Sequence, residues 1–481
     1  MSAAQVLFNT PPINTIQAEP KRRGSWVPTR RKSECPLEIT IDRHFEAKIY
    51  TSGSTITGSV SFSPSADLTV DAFEIVFTGS ETTLVQMFHQ GTMPKSGHKF
   101  LQLRMPIPES ALPPDGVLQA GQAYEVPFSF VIPYQLPSAA CKHRNPIIRE
   151  RHLQLPPTVG SWEHDDMAVH TVAINYGVDA RTLLKTDKGK SMVLERTHPV
   201  KVMPYLPEQP PLHILPGNPR FTMTQEKSIR KDILSSKLGY VRATTRQPDP
   251  VIISADKLQP SECSLNIDLE FWPTSKKATP PEMYAKSASI KASTYYSTGH
   301  LSFLPDQHNF PSVMPNPILS FVLDESAMVT KSPAPHWEQT SASISAPSSR
   351  RGSENSTMGD EPPRTASRRG SKSSDIIKAE APRHTATLPV SIELPSPDNK
   401  ILLPTFYSCL ISRTYILEIV LASRAHGSSF TLRLPLQIAV EGHHETGINH
   451  VPTYVSFVKS PYRDLSTNKR IGTSSGGTGL I

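Results

Sequence analysis

Cysteine is scarce in this chain. Its 481 residues hold four, Cys35, Cys141, Cys263 and Cys409, far apart and without any C-x-x-C pair. Such spacing indicates neither a disulfide framework nor a zinc site, and a reducing, cytosolic setting is the default. Long apolar runs are missing as well. No stretch of about 18 apolar residues occurs, so no transmembrane helix is expected. Any membrane contact then has to be peripheral or through a partner. The opening Ala3-Ala4-Gln5-Val6-Leu7-Phe8 is too short and too poorly flanked to read as a signal peptide. Helical periodicity is almost lacking. So are two common catalytic signatures: there is no P-loop and no H-E-x-x-H.

Hydrophobic residues make up only 37% of the chain, whereas proline reaches 47 residues. Globular chains carry roughly 5% proline, so this is a large excess. Together the two figures predict folded β-domains diluted by Pro- and Ser-rich disordered segments. The formal charge is +7, from 50 Lys+Arg against 43 Asp+Glu. No basic helix with interleaved aromatics accompanies it, which argues against nucleic acid. A modest positive excess suits an acidic surface, such as an anionic membrane leaflet or phosphorylated protein tails.

The strand patterns centre on residues 124–141. Tyr124, Val126, Phe128, Phe130 and Ile132 alternate, so a period of two puts them on one face of a β-strand. Pro127 has no amide hydrogen and belongs at an edge or near the strand start. Pro133 and Pro137 end the strand. Upstream, Leu37, Ile39 and Ile41 alternate, a turn falls at Thr51-Ser52-Gly53, and residues 55–62 form a strand containing Gly58. Further strands are predicted over 70–78, ended by Gly79, over 99–105 and over 167–179. Short strands punctuated by Pro and Gly indicate a β-sandwich.

The pattern resumes later in the chain. Leu265, Ile267, Leu269 and Phe271 alternate, as do Ile290, Ala292, Thr294 and Tyr296. Residues 318–323, 388–394, 415–421 and 430–439 are further strands. Between the two groups, residues 206–250 read as a Pro-rich linker, with a short helix over 224–238 because Ile229, Ile233 and Leu234 fall on one side. Of the 55 residues 331–385, 12 are Ser and few are large and apolar. This segment cannot bury enough surface to offset its ordering entropy and is predicted to be a disordered insertion. The layout is therefore a disordered basic arm (1–35), a first β-sandwich (36–205), the linker, a second β-sandwich (251–445) carrying the insertion, and a loose tail (446–481).

Three clusters of chemistry stand out. Residues 141–152 carry Lys142, His143, Arg144, Arg149, Arg151 and His152 against the single acid Glu150. They form either a solvated loop or an anion-binding surface, to which Lys142, Arg144, Arg149 and Arg151 would contribute. Glu163-His164-Asp165-Asp166 is the densest His/acid run, but four consecutive residues cannot all face one ion, so it reads as a polar loop. Arg-Arg-x-Ser occurs four times, ending at Ser25, Ser33, Ser353 and Ser371. Chance gives roughly 0.1 such matches in a chain of this composition. Paired arginines before a serine suit an acidic kinase subsite, and all four lie in segments predicted to be disordered, so they read as phosphorylation sites of a basophilic kinase. The six basic residues between Lys21 and Lys32 form either a solvated tail or a membrane-attracted arm.

The order of these pieces carries a resemblance. The strand near Gly58, the 73–79 strand and Leu118-Gln119-Ala120-Gly121 lead into Pro127-Phe128-Ser129-Phe130-Val131-Ile132-Pro133. With the later Phe271-Trp272-Pro273 and Leu402-Leu403-Pro404-Thr405-Phe406-Tyr407-Ser408-Cys409-Leu410-Ile411-Ser412-Arg413-Thr414-Tyr415, the chain resembles fungal arrestin-like proteins of the α-arrestin type over about residues 36–441. The resemblance implies an all-β arrestin fold of two immunoglobulin-like sandwiches. It implies a non-enzymatic cytoplasmic adaptor without a cofactor, recruited to plasma membrane or endosomes. Such an adaptor binds membrane cargo proteins, transporters or receptors, and links them to ubiquitination and endocytic trafficking. Family members recruit the WW domains of a HECT-type ubiquitin ligase through Pro-Pro-x-Tyr. This chain has no strict copy: Pro280-Pro281-Glu282-Met283-Tyr284 is one residue too long, and Val451-Pro452-Thr453-Tyr454 is a relaxed one. A trafficking scaffold of the same fold without a ligase role is the alternative reading.

Overall fold

The alternation at Tyr124 is realised as a strand. The computed structural model describes residues 37–85, 95–186, 191–214, 218–230, 236–275, 277–306, 318–340, 383–398, 400–424 and 427–442. The first unit runs β1 (Leu37–Ile41), β2 (Ile49–Tyr50), β3 (Thr55–Phe62), β4 (Leu68–Leu84), β5 (Lys95–Arg104), β6 (Val117–Leu118), β7 (Tyr124–Val131), helix α1 (Pro146–His152), β8 (Val172–Thr186) and β9 (Ser191–Val202). Strands β1, β3 and β7 form one antiparallel sheet; β2, β9, β8, β4 and β5 form a second, with β6 on β4. In β7, Tyr124, Val126, Phe128 and Phe130 are buried while Glu125 and Pro127 face solvent. Strand β7 is an edge, where a residue without an amide hydrogen is tolerated. The sheets meet through aromatic side chains: Phe62 lies 5.5 Å from Phe73 and Phe130 lies 6.0 Å from Phe77, centroid to centroid. Burying each such side chain contributes about 1.5–3 kcal/mol.

The second unit contains β10 (Thr224–Arg230), β11 (Lys237–Thr245), β12 (Val251–Ile253), β13 (Cys263–Pro273), β14 (Met283–Ser297), β15 (Ile318–Lys331), β16 (Glu338–Thr340), β17 (Arg383–Glu393), β18 (Phe406–Tyr407), β19 (Ile411–Ser423), β20 (Ser429–Leu436) and β21 (Ile438–Val440). Its main sheet follows the order β10-β11-β13-β17-β15-β14-β19-β18, with β16 on β17 and β20 on β19; β12 and β21 pair in parallel. The alternating apolar faces of β13, β17, β19 and β20 all enter the core. The described residues are nearly all β, with antiparallel sheets stacked as in a sandwich, and among them no helix is long and apolar enough to cross a membrane.

Several expectations need correction. Residues 206–250 are not an irregular linker with a helix: β10 and β11 form a hairpin that extends the second unit's sheet. Ile229 is buried as a strand residue, and residues 231–235, including Ile233 and Leu234, lie outside the described ones. The inward face of β11 is Gly239, Val241, Ala243 and Thr245, mostly too small to register as a hydrophobic pattern. Gly79 does not end its strand. Strand β4 passes through it, because a Cβ there would come within 2.5 Å of Phe100 and 2.9 Å of Tyr176. Glycine is needed for the close approach of two rings, not for a turn. The segment 331–385 is structured at both ends: β16 pairs with the start of β17, and Trp337 Nε1 donates to the Pro281 carbonyl at 3.1 Å. Residues 341–382 are outside the described set, as are Ser25, Ser33, Ser353, Ser371, Val451, Pro452 and Tyr454.

The two units meet along a polar and apolar seam. Leu206 and Val440 exchange backbone hydrogen bonds, and Thr83 Oγ1 donates to the Ser297 carbonyl at 2.8 Å. Lys400 Nζ lies 2.7 Å from Asp165 Oδ2, and the Ile401 amide donates to the Asp165 carbonyl. The buried guanidinium of Arg413 donates to Thr294 Oγ1, to the Asp166 carbonyl and to the Tyr415 hydroxyl, tying β19 to the first unit.

Candidate metal centre at the seam

Strand β7 leaves through Pro133 and Pro137 into a 3-10 turn at Ser138–Ala140, which delivers Cys141 inward. Helix α1 then starts cleanly. Asn145 caps it, its Oδ1 accepting the Ile147 amide at 3.0 Å and the Ile148 amide at 3.4 Å, and Pro146 occupies the first position. Ile148 and His152 are four residues apart and so share a face. That face is buried, with Ile148 packed against Leu304 and Tyr407 of the second unit. His143, at the entry to α1, is half-buried.

The fourth member comes from the other unit. Cys409 sits in the tight turn between β18 and β19, where Ser408 Oγ accepts the Ile411 amide at 3.2 Å. The Leu301 amide donates to the Cys409 carbonyl at 2.7 Å, and the Leu410 amide donates to Glu81 Oε2 at 3.2 Å. Glu81, on β4, is fully buried; it also accepts from Ser408 Oγ and lies 2.9 Å from His98 Nδ1. Glu81 therefore holds the turn that presents Cys409.

One ligand-type atom from each of Cys141, His143, His152 and Cys409 lies within 4.8 Å of all the others. Cys141 Sγ is 3.0 Å from His143 Nδ1 and 3.8 Å from His152 Nδ1, and the two Nδ1 atoms are 3.3 Å apart. Burial, reinforced by His143, His300 and His98, drives the His152 pKa down to about 3. Burial, then His300, lowers that of His143. Both imidazoles are thus neutral at physiological pH, with lone pairs to offer. Burial, with Glu81 and Cys141 nearby, pushes the Cys409 thiol up. The grouping Glu81, His98 and Cys409 is also compact, but the Glu81 oxygens are already engaged by Ser408, Leu410 and His98.

Sequence reasoning missed this centre. Three of its members lie within residues 141–152, as Cys141-Lys142-His143 and a His nine residues further on, and the fourth is more than 250 residues away. The same stretch carries the cluster of cations. Lys142, Arg144 and Arg149 are exposed, and Arg149 Nη2 donates to the Ser138 carbonyl at 3.1 Å. Arg151 is half-buried and donates to Gln209 Oε1, so it does not share their open surface. The run Glu163 to Asp166 disperses: Glu163 pairs with Lys201, Asp165 with Lys400, and Asp166 accepts the Gly160 and Ala168 amides. In the near-match to a WW ligand, Met283 and Tyr284 are built into β14, and Arg424 covers the Tyr284 ring at 5.1 Å. No family model matches the chain, and no curated protein is significantly similar to it in sequence.

Proposed function

We propose that the protein is an arrestin-fold adaptor, which binds membrane cargo proteins and links them to ubiquitination and endocytic trafficking, under control of basophilic-kinase phosphorylation. The observation that carries this reading is the α1 segment. It lies at the seam of two antiparallel β-units and turns Lys142, Arg144 and Arg149 outward while Ile148 and His152 anchor it from below. A rigidly held cationic surface at such a seam suits a phosphorylated cargo tail, each charge-assisted hydrogen bond being roughly twice as strong as a neutral one. The motif order of the sequence supports the arrestin arrangement. The departure from strict Pro-Pro-x-Tyr favours the alternative, a scaffold of the same fold without a ligase.

The test is direct. Lys142→Glu, Arg144→Glu and Arg149→Glu combined should weaken binding of a multiply phosphorylated tail peptide at least tenfold and flatten its salt dependence. Arg151→Glu instead should act chiefly on stability, because its partner is Gln209. Unchanged peptide affinity in the triple variant would remove the basis of the reading.

A further inference from the structure

We propose that Cys141, His143, His152 and Cys409 form a tetrahedral zinc site, which clips α1 of the first unit to the β18–β19 turn of the second. This does not depend on the adaptor reading.

With Zn–N near 2.05 Å and Zn–S near 2.3 Å, a tetrahedron has N···N edges of about 3.3 Å and S···N edges of about 3.6 Å. The two Nδ1 atoms are 3.3 Å apart, and the distances from Cys141 Sγ, 3.0 and 3.8 Å, lie either side of the mixed value. Cys141, His152 and Cys409 are each at most 3% exposed, so bulk water is kept from the ion. A two-thiolate, two-imidazole set is the donor chemistry of structural zinc rather than of magnesium or calcium. It also solves the charge problem. Two thiols each release a proton on binding, and the resulting two negative charges cancel the dication, so no net charge is buried.

The supporting shell is in place. Asn145 and Pro146 fix the start of α1, and Glu81, Leu301 and Ser408 fix the turn around Cys409. Little ordering remains to be done when the ion binds. His152 Nε2 has no hydrogen-bond partner among the described residues, although it is buried. Coordination through Nδ1 leaves Nε2 as the protonated nitrogen, a buried donor without an acceptor among the described residues, a cost that the metal–ligand bonds offset. The four residues are recruited from two β-units, which gives the ion a role that a purely local site lacks: its removal loosens the seam.

The experiment uses the untagged, full-length, reduced protein, purified without chelator. Elemental analysis should find one zinc per chain. After chelation, cobalt titration should produce the intense visible bands of a tetrahedral ion and the sulfur-to-cobalt charge-transfer absorption, saturating at one equivalent. Cys409→Ser and His152→Gln should each weaken zinc binding at least tenfold, whereas Cys263→Ser, a buried thiol in β13, should bind as wild type does. Should the first two variants fail to fold, the wild-type cobalt spectrum decides alone. The proposal is overturned if the reduced wild-type protein neither retains zinc nor gives a thiolate-cobalt spectrum. It is equally overturned if Cys409→Ser keeps wild-type affinity.

Discussion

Replacing Glu81 isolates how the seam is held. Its carboxylate is fully buried and accepts from Ser408 Oγ and from the Leu410 amide, with His98 Nδ1 at 2.9 Å. In Glu81→Ala the Ser408 hydroxyl still has an acceptor, the Ile411 carbonyl 2.7 Å away. The Leu410 amide has none, and an unsatisfied buried donor costs about 1–3 kcal/mol. Loss of the side-chain methylenes and the cavity they leave adds about 1–2 kcal/mol. The expected loss is about 3 kcal/mol. Glu81→Gln keeps an oxygen where both donors can reach it and should lose about 1 kcal/mol, the difference between a charged and a neutral acceptor. For units of this size 1 kcal/mol moves the midpoint by about 2–4 °C, so thermal unfolding should fall by about 6–12 °C in the alanine variant and by about 2–4 °C in the glutamine one. Equal midpoints for the two variants, both close to wild type, would refute the claim that Glu81 holds the Cys409 turn.

Arg413→Ala removes three hydrogen bonds of a buried guanidinium and should destabilise by roughly 2–4 kcal/mol in chemical denaturation; Arg413→Lys, unable to span the same partners, should recover little of it. Gly79→Ala forces a methyl against the Phe100 and Tyr176 rings, and the overpacking should cost about 1–3 kcal/mol, read as a lower urea midpoint. Incubation with a basophilic kinase should place phosphate on Ser25, Ser33, Ser353 and Ser371. Each adds about −1.5 to −2 charges, and four together offset the formal +7. Intact-mass analysis and peptide mapping check this, and absence of modification at all four would refute it.

The strands around Tyr124, Leu265, Tyr415 and Leu432 were legible because each has a half-buried alternating face of large side chains, the one signal a period of two makes plain. Strand β11 was not, since Gly239 and Ala243 contribute no hydrophobic contrast although they are inward. Gly79 was misread for a related reason: a glycine needed for ring packing looks the same in sequence as one needed for a turn. The candidate centre was half visible. The cations of residues 141–152 drew attention, but Cys141, His143 and His152 acquire meaning only when the fold brings Cys409 to them, and local spacing cannot report a partner supplied by another β-unit.

The adaptor reading is tested most directly by affinity purification of the full-length protein from its own cells after mild membrane solubilisation, with wild type and Tyr454→Ala compared. The account predicts that wild type recovers integral membrane proteins together with a HECT-type ubiquitin ligase, and that Tyr454→Ala retains the membrane proteins while losing the ligase. Recovery of coat subunits without a ligase would select the scaffold alternative, and recovery of no membrane protein at all would contradict the account.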